Sequence, residues 1–344
     1  MVSIVGGFDV HRRQIMFDYV DTDTGGLQRG RITPACRAVL RRWLADRFAG
    51  RTDVAFAVEA CTGWRFVVEE CEQAGIAVSL AETADTSTAR GPKKRAKSDV
   101  ADAALLRELL AGARLPTSWI PPEQVREMRA ILELYKDLRD EHTSWVQRIH
   151  ATLFHHGVPQ LGTGGVTTVA GRARLEAGEG LSPAARQAVL VALRVTDALD
   201  IELDALHRQI RTFARRQPGC QALQVQYGVG PITSTAIWAM MGDTRRFSAS
   251  RQAVRHTGLD VTVYSSDGKR SRGHLAKQGP PLLRWALYEA ACMASHTRAP
   301  DHDYYADGKD RIDHKRATIS VARKIARRSH HILRELGDKA YAAA

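Results

Sequence analysis

No stretch of the sequence reaches the ~18 consecutive apolar residues of a membrane-spanning helix. Met1-Val2-Ser3-Ile4-Val5 likewise lacks the charged start and long apolar run of a secretory signal. The chain is therefore expected in the cytoplasm, with no membrane partner. Cysteine is scarce: Cys36, Cys61, Cys71, Cys220 and Cys292 are scattered, odd in number and without a C-x-x-C pair. That pattern indicates neither a disulfide framework nor a zinc site, and buried, reduced thiols are expected. The histidine pairs His155-His156 and His330-His331 stand apart from any second ligand cluster, so surface or helix-end roles are expected for them. A G-x-x-x-x-G-K-[ST] nucleotide loop is also missing. Acid is in deficit, with 38 Asp plus Glu against 50 Lys plus Arg and a formal charge of +12. An excess of this size favours polyanionic partners, nucleic acid first.

What is present is enough for about two domains: 344 residues, 44% of them apolar. Ser3 to Val10, Gln14 to Val20 and Leu27 to Ile32 read as a three-stranded meander, with turn-rich Asp21 to Gly26 before the last strand. Pro34 opens an amphipathic helix carrying Val39, Leu40, Trp43, Leu44 and Phe48. A short apolar run, Val54 to Val58, then ends at Glu59. A helix from about Gly63 to Ala74 stops at Gly75, and Ile76 to Ala81 is another strand. The predicted order is βββαβαβ followed by helices.

Between Glu82 and Lys97 periodicity disappears, and Arg90-Gly91-Pro92-Lys93-Lys94-Arg95-Ala96-Lys97 forms a basic loop or arm. Ser98 can cap a helix running to about Leu110, and a long charged helix is predicted over Glu123 to His155. Seven glycines mark Gly157 to Gly180 as a connector, and Ser182 to Arg216 reads as a helical, coiled-coil-like arm. The rest is predicted to be mainly helical. These readings divide the chain into a front domain (1–157), a middle arm (158–217) and a back domain (218–344).

Four acids stand out by position. Asp9 ends the first strand, Glu59 ends the fourth, and Asp99 and Asp102 lie three apart on one helix face. Converging carboxylates repel one another unless a cation neutralises them, and a hard divalent ion does so through oxygen ligands. Two acids ending neighbouring strands, with an i,i+3 pair opening a later helix, match the layout of ribonuclease-H-like nucleases. A pair of ions in such a site can clamp the attacking and leaving oxygens of a phosphodiester.

Gly7-Phe8-Asp9-Val10-His11, Val58-Glu59-Ala60-Cys61-Thr62-Gly63 and Lys97-Ser98-Asp99-Val100-Ala101-Asp102-Ala103 resemble the DEDD transposases of the insertion sequence one-ten family. The similarity extends over most of the chain apart from the middle connector. It implies a front domain of ribonuclease-H-like (RuvC-like) α/β fold, with Mg2+ or Mn2+ at Asp9, Glu59, Asp99 and Asp102.

In the back domain, Gln226-Tyr227-Gly228-Val229-Gly230-Pro231-Ile232-Thr233 resembles the hairpin of helix-hairpin-helix DNA binders. There Gly228 and Gly230 would let backbone approach a phosphate at a helix start. An ordinary glycine turn is the alternative. Tyr264-Ser265-Ser266-Asp267-Gly268-Lys269-Arg270-Ser271-Arg272-Gly273 reads by itself as a solvated basic loop. The family resemblance implies a catalytic serine here, matched by Ser266 with Ser265 as the competing position. Lys269, Arg270 and Arg272, with Lys93, Lys94, Arg95 and Lys97 of the basic arm, are candidate nucleic-acid contacts. Lys315, Arg316, Arg323, Lys324, Arg327 and Arg328 stud the final helix as a solvated or nucleic-acid-facing basic surface.

The expected function is that of an insertion-sequence recombinase whose Ser266 attacks a phosphodiester of donor or target DNA. The resemblance also implies a structured noncoding guide RNA and an active homo-oligomer, dimer or tetramer, that combines front and back domains of different subunits. Competing readings are a metal-dependent resolvase that cuts with water, a noncatalytic nucleic-acid binder, and an actin-like ATPase. The ATPase reading lacks its phosphate hairpin, because His11-Arg12-Arg13 follows Asp9.

Overall fold

The computed structural model describes residues 2–83, 86, 88, 99–162, 164–262, 264–266, 269–271 and 273–342, the side chains at 264–266 and 269–271 excepted. The chain divides into two compact units, Met1–Ile120 and Pro121–Ala344. The long helix after Pro122 lies within the second of these compact units.

The first unit is built on a mixed sheet. Strands β1 (Ile4–Val10), β2 (Ile15–Asp21) and β3 (Leu27–Ile32) form the predicted antiparallel meander. Strands β4 (Val54–Glu59) and β5 (Ala77–Ala81) run parallel to β1, and the short β6 (Thr117–Ser118) closes the edge in the order β3-β2-β1-β4-β5-β6. Helices α1 (Arg37–Phe48) and α2 (Trp64–Gln73) follow β3 and β4. They cover one sheet face with an aromatic core in which Phe8 stacks on Phe56 at 4.2 Å and Trp43 meets Phe8 edge-on. Alternation along the strands sends Gly7, Ala57 and Ala81 to the opposite face, where helix α3 (Asp99–Ala111) packs through Leu106.

That second face explains where α3 sits. Gly7 and Ala57 are register partners on β1 and β4. A Cβ on Gly7 would lie 2.2 Å from the Ala103 carbonyl oxygen and 2.8 Å from Leu106 Cβ, so the missing side chain lets the helix backbone rest on the strand. Rotation of the helix is set by a buried charge: Asp18, paired with Gly7 across β1 and β2, is fully buried and holds Arg107 of α3 together with Arg29 of β3.

In the second unit, α4 (Glu123–His155) and α6 (Pro183–Arg216) pair lengthwise and antiparallel. His142 meets Asp200 at 3.2 Å, and Ile149 and Leu153 join Val189 and Leu193 in one cluster. The glycine-rich connector is not structureless. It contains a 3-10 turn, Gly165–Thr167, and α5 (Val169–Ala177), capped by Thr168 Oγ1 on Gly171 N and ended by left-handed Gly178. Val166 and Leu175 bury themselves in the same cluster, so tertiary packing overrides the glycine content.

The remainder is helical: α7 (Pro218–Leu223), α8 (Pro231–Met241), α9 (Ser250–His256), α10 (Pro281–Cys292), α11 (His302–Arg311) and α12 (His314–Leu336). Trp238 of α8 is fully buried; it stacks on Tyr341, lies against Phe213 of α6 and donates Nε1–H to Ala340 O at 2.7 Å. The exception is a hairpin of β7 (Tyr264–Ser266) and β8 (Lys269–Ser271), where a solvated loop was expected. All five cysteines are free, but only Cys71 and Cys220 are fully buried; the other three are partly exposed. His330 is buried rather than superficial, whereas His156 does cap the end of α4. Among the described residues no helix is long and apolar enough to cross a membrane.

Candidate active site

Asp9 and Glu59 occupy adjacent strand ends. The β1–β4 register runs to Phe8 opposite Val58, and each acid is the next residue on its strand. Cys61, just past Glu59, donates Sγ–H to Val10 O at 3.6 Å and ties the two ends together. Burial pushes its thiol pKa up, with the charges of Glu59 and Asp9 adding to the effect.

Because Gly7 seats α3 on β1, the first turn of that helix reaches the end of the strand two residues later. Asp99 and Asp102 occupy that turn. Asp9 is 6% exposed, and its carboxyl pKa is raised first by burial; the nearby charges of Asp102 and Asp99 raise it further and His11 opposes the shift. His11 follows Asp9 by two residues in the β1–β2 turn, which is closed by His11 N–H donating to Gln14 O at 2.9 Å. Its Nε2 lies 2.9 Å from Asp9 Oδ2 and 3.3 Å from Asp99 Oδ1, while Gln14 Nε2 donates to Asp99 Oδ2 at 3.4 Å.

Asp9, His11 and Asp99 thus offer ligand atoms all within 4.8 Å of one another. Glu59 and Asp102 border this group without belonging to it; Asp102 is buried and Glu59 half-buried. The donor set fits a divalent cation: hard oxygens predominate, and a buried carboxyl among like charges is stabilised in its ionised form by a positive ion. His11 is the residue that sequence reasoning missed. Its signal was the D-x-H spacing at a strand end, where positions two apart share a face.

A DEDD transposase model (DEDD_Tnp_IS110) matches residues 6–156, and a model described as transposase IS116/IS110/IS902 family matches residues 220–306. Together they span more than half of the chain. The chain belongs to the IS110 family of DNA transposases. A probable family 20 transposase of Pseudomonas aeruginosa is 26% identical over 77% of this chain and 80% of its own length. The transposase for insertion element IS1328 of Yersinia enterocolitica is 24% identical over 68% of this chain and 69% of its own. That for IS1111A of Coxiella burnetii is 24% identical over 58% and 55%.

As a DNA transposase the protein binds DNA, and the second unit carries the other candidate residues. Ser265 and Ser266 lie on β7, paired in register with Arg270 and Lys269 of β8. Lys93, Lys94, Arg95, Lys97 and Arg272 lie outside the described residues. In the glycine turn before α8, Gly228 has φ +83°, and a Cβ there would meet Ala290 O at 2.3 Å, so close packing on α10 already requires this glycine. Gly230 is different. Nothing lies within 4 Å of a Cβ built there, and its N–H is taken by Thr233 Oγ1 at 2.9 Å.

The basic face expected on α12 is partly used inside the fold. Arg323 donates to Leu259 O, and Arg328 and Lys324 hold Asp301, whose pKa falls to about 2 chiefly through the Arg328 hydrogen bonds. Lys315, Arg316 and Arg327 remain exposed.

Proposed function

We propose that the transposase cuts and rejoins DNA through a ribonuclease-H-like (RuvC-like) carboxylate centre and a serine nucleophile. The observation that carries this reading is the gathering of Asp9, Asp99 and Asp102 at the end of β1, with Glu59 on the adjoining strand end. The sheet order, an antiparallel meander continued by two parallel strands, supports the fold assignment. The front domain in this reading is 1–157, the helical arm 158–217 and the back domain 218–344.

Asp9, Glu59, Asp99 and Asp102 would hold Mg2+ or Mn2+, which when bound offsets their charge and polarises a phosphate oxygen. The chain's own residues do the rest. Ser266 Oγ attacks the phosphorus as its proton leaves. An Oγ–P bond forms, the bond to one deoxyribose oxygen breaks, and that oxygen departs as the hydroxyl end of the cut strand. Attack by a hydroxyl end on the phosphoserine reverses these changes and frees the serine, so strands are exchanged without an external energy source. Lys269, Arg270 and Arg272 would steady the phosphate charge, with Lys93, Lys94, Arg95 and Lys97 as further backbone contacts. The turn at Gly228 and Gly230 is read as a helix-hairpin-helix-like backbone contact. Family resemblance supports a structured guide RNA, a homo-oligomeric active form and a cytoplasmic site of action.

The test is to incubate the protein with magnesium, RNA transcribed from the flanks of its element, and labelled donor and target DNA, then denature it. Label attached to protein, and lost in both Ser266→Ala and Asp9→Ala, is the expected result. Persistence of the adduct in Ser266→Ala moves the nucleophile, Ser265 first. Cut DNA without an adduct from the unaltered protein identifies a water-using nuclease.

A further inference from the structure

We infer that His11 is itself a ligand of the metal centre, and that its imidazole makes the site prefer Mn2+ over Mg2+. The inference rests on the proposal that the carboxylates bind a divalent ion.

Its basis is the spacing of donor atoms. Ligands at right angles around an ion, each about 2.1 Å from it, stand about 3 Å apart. His11 Nε2 lies 2.9 Å from Asp9 Oδ2 and 3.3 Å from Asp99 Oδ1, close to that edge length on both sides. The three donors come from elements whose relation is fixed by the fold. Asp9 is on β1, His11 is in the turn closed on Gln14, and Asp99 is in the first turn of α3, whose seat is Gly7. Gln14 donates to the other oxygen of Asp99, an arrangement that orients a ligating carboxylate from outside.

Ligand chemistry then sets the choice of ion. Carboxylate and water ligands suit Mg2+ and Mn2+ alike, whereas imidazole favours the later, softer ions; Mg2+ also loses its water reluctantly. A mixed set of one nitrogen and several carboxylate oxygens binds Mn2+ more tightly. The neutral tautomer, with Nε2 free to coordinate, is the form required. Side-chain exposure of 47% at His11 leaves the ring accessible to an entering ion and makes its truncation tolerable to the fold.

The experiment uses the full chain and Mn2+ alone, without nucleic acid. Pulsed electron paramagnetic resonance of bound Mn2+ is expected to show coupling to a nitrogen nucleus that changes when the protein carries 15N-histidine and disappears in His11→Ala. By calorimetry, His11→Ala is expected to weaken Mn2+ by about tenfold or more and Mg2+ by less than about threefold. Tight Mn2+ binding, abolished in Asp9→Ala but free of histidine coupling, overturns the role of His11 and leaves the carboxylate centre standing. No Mn2+ bound at this site in the unaltered protein overturns both.

Discussion

Replacing Gly7 with Ala tests whether the transposase positions its acids through the seat of α3. In an ordinary strand interior Ala is better than Gly by about 0.5–1 kcal/mol, because it loses less conformational freedom. Here the added methyl would stand 2.2 Å from Ala103 O, 2.8 Å from Arg107 N and 2.8 Å from Leu106 Cβ. Two of these atoms are backbone, so no rotamer change relieves the contact. Reaching ordinary contact with the carbonyl requires α3 to retreat by about 1.2 Å, overpacking that costs about 1–3 kcal/mol. The same retreat carries Asp99 and Asp102 away from Asp9, and displacement of a catalytic group by about 1 Å can cost about 100-fold in rate. The expected result is a lower urea midpoint together with strand-transfer activity down by about two orders of magnitude. Gly162→Ala, where nothing lies within 4 Å of the new methyl, serves as the neutral control. A Gly7→Ala protein as stable as the parent, with activity within threefold of it, would refute the argument.

Two further outcomes follow from buried charge. Asp18→Ala leaves Arg107, whose side chain is only 16% exposed, with exposed Glu108 as its remaining carboxylate, and is expected to cost about 2–3 kcal/mol in urea unfolding, below the full loss of a buried pair because Glu108 stays and Arg29 is half-exposed. His256 is held as neutral imidazole, its pKa lowered to about 4 by burial first and then by Arg246 and Arg129. The unfolded chain therefore takes up this proton first as pH falls below 6.5. Stability is full above that value, falls by up to about 2 kcal/mol by pH 5 and goes on falling until about pH 4; His256→Gln should flatten that slope in melts recorded between pH 7.5 and 5.

Much of this architecture was legible in the residues, for identifiable reasons. The strands of the first unit carry short β-branched and aromatic runs bounded by turn residues, and Asp9 and Glu59 punctuate two of them. The i,i+3 spacing of Asp99 and Asp102 survives any error in helix ends. What escaped depends on partners distant in sequence. Nothing near Gly7 shows that Ala103 will lie on it, and Asp18 is one acid among 38 until the fold brings Arg107 against it. His11 drew no role as a ligand because its partner Asp99 stands 88 positions away. Helix α5 was hidden by glycines that in the fold serve as its flanking turns. The β7–β8 hairpin was obscured by a composition of serine, lysine and arginine, which by propensity alone reads as loop.

Charge shows most clearly why composition alone does not locate a binding face. The excess of +12 directs attention to nucleic acid, and six basic residues on α12 look from sequence like one surface. Three of them are committed inside the fold. The guanidinium of Arg328 and the ammonium of Lys324 neutralise Asp301, which is 8% exposed, and Arg323 is spent on the carbonyl of Leu259. Removing Arg323 takes the donor from the Leu259 carbonyl, and removing Arg328 or Lys324 leaves buried Asp301 one cation instead of two, so weaker DNA binding in such a variant reports a loosened fold before it reports a lost phosphate contact. Lys315 and Arg327 are exposed and have no ion pair among the described residues, so they are the positions on this helix at which salt-dependent affinity reads nucleic-acid contact directly.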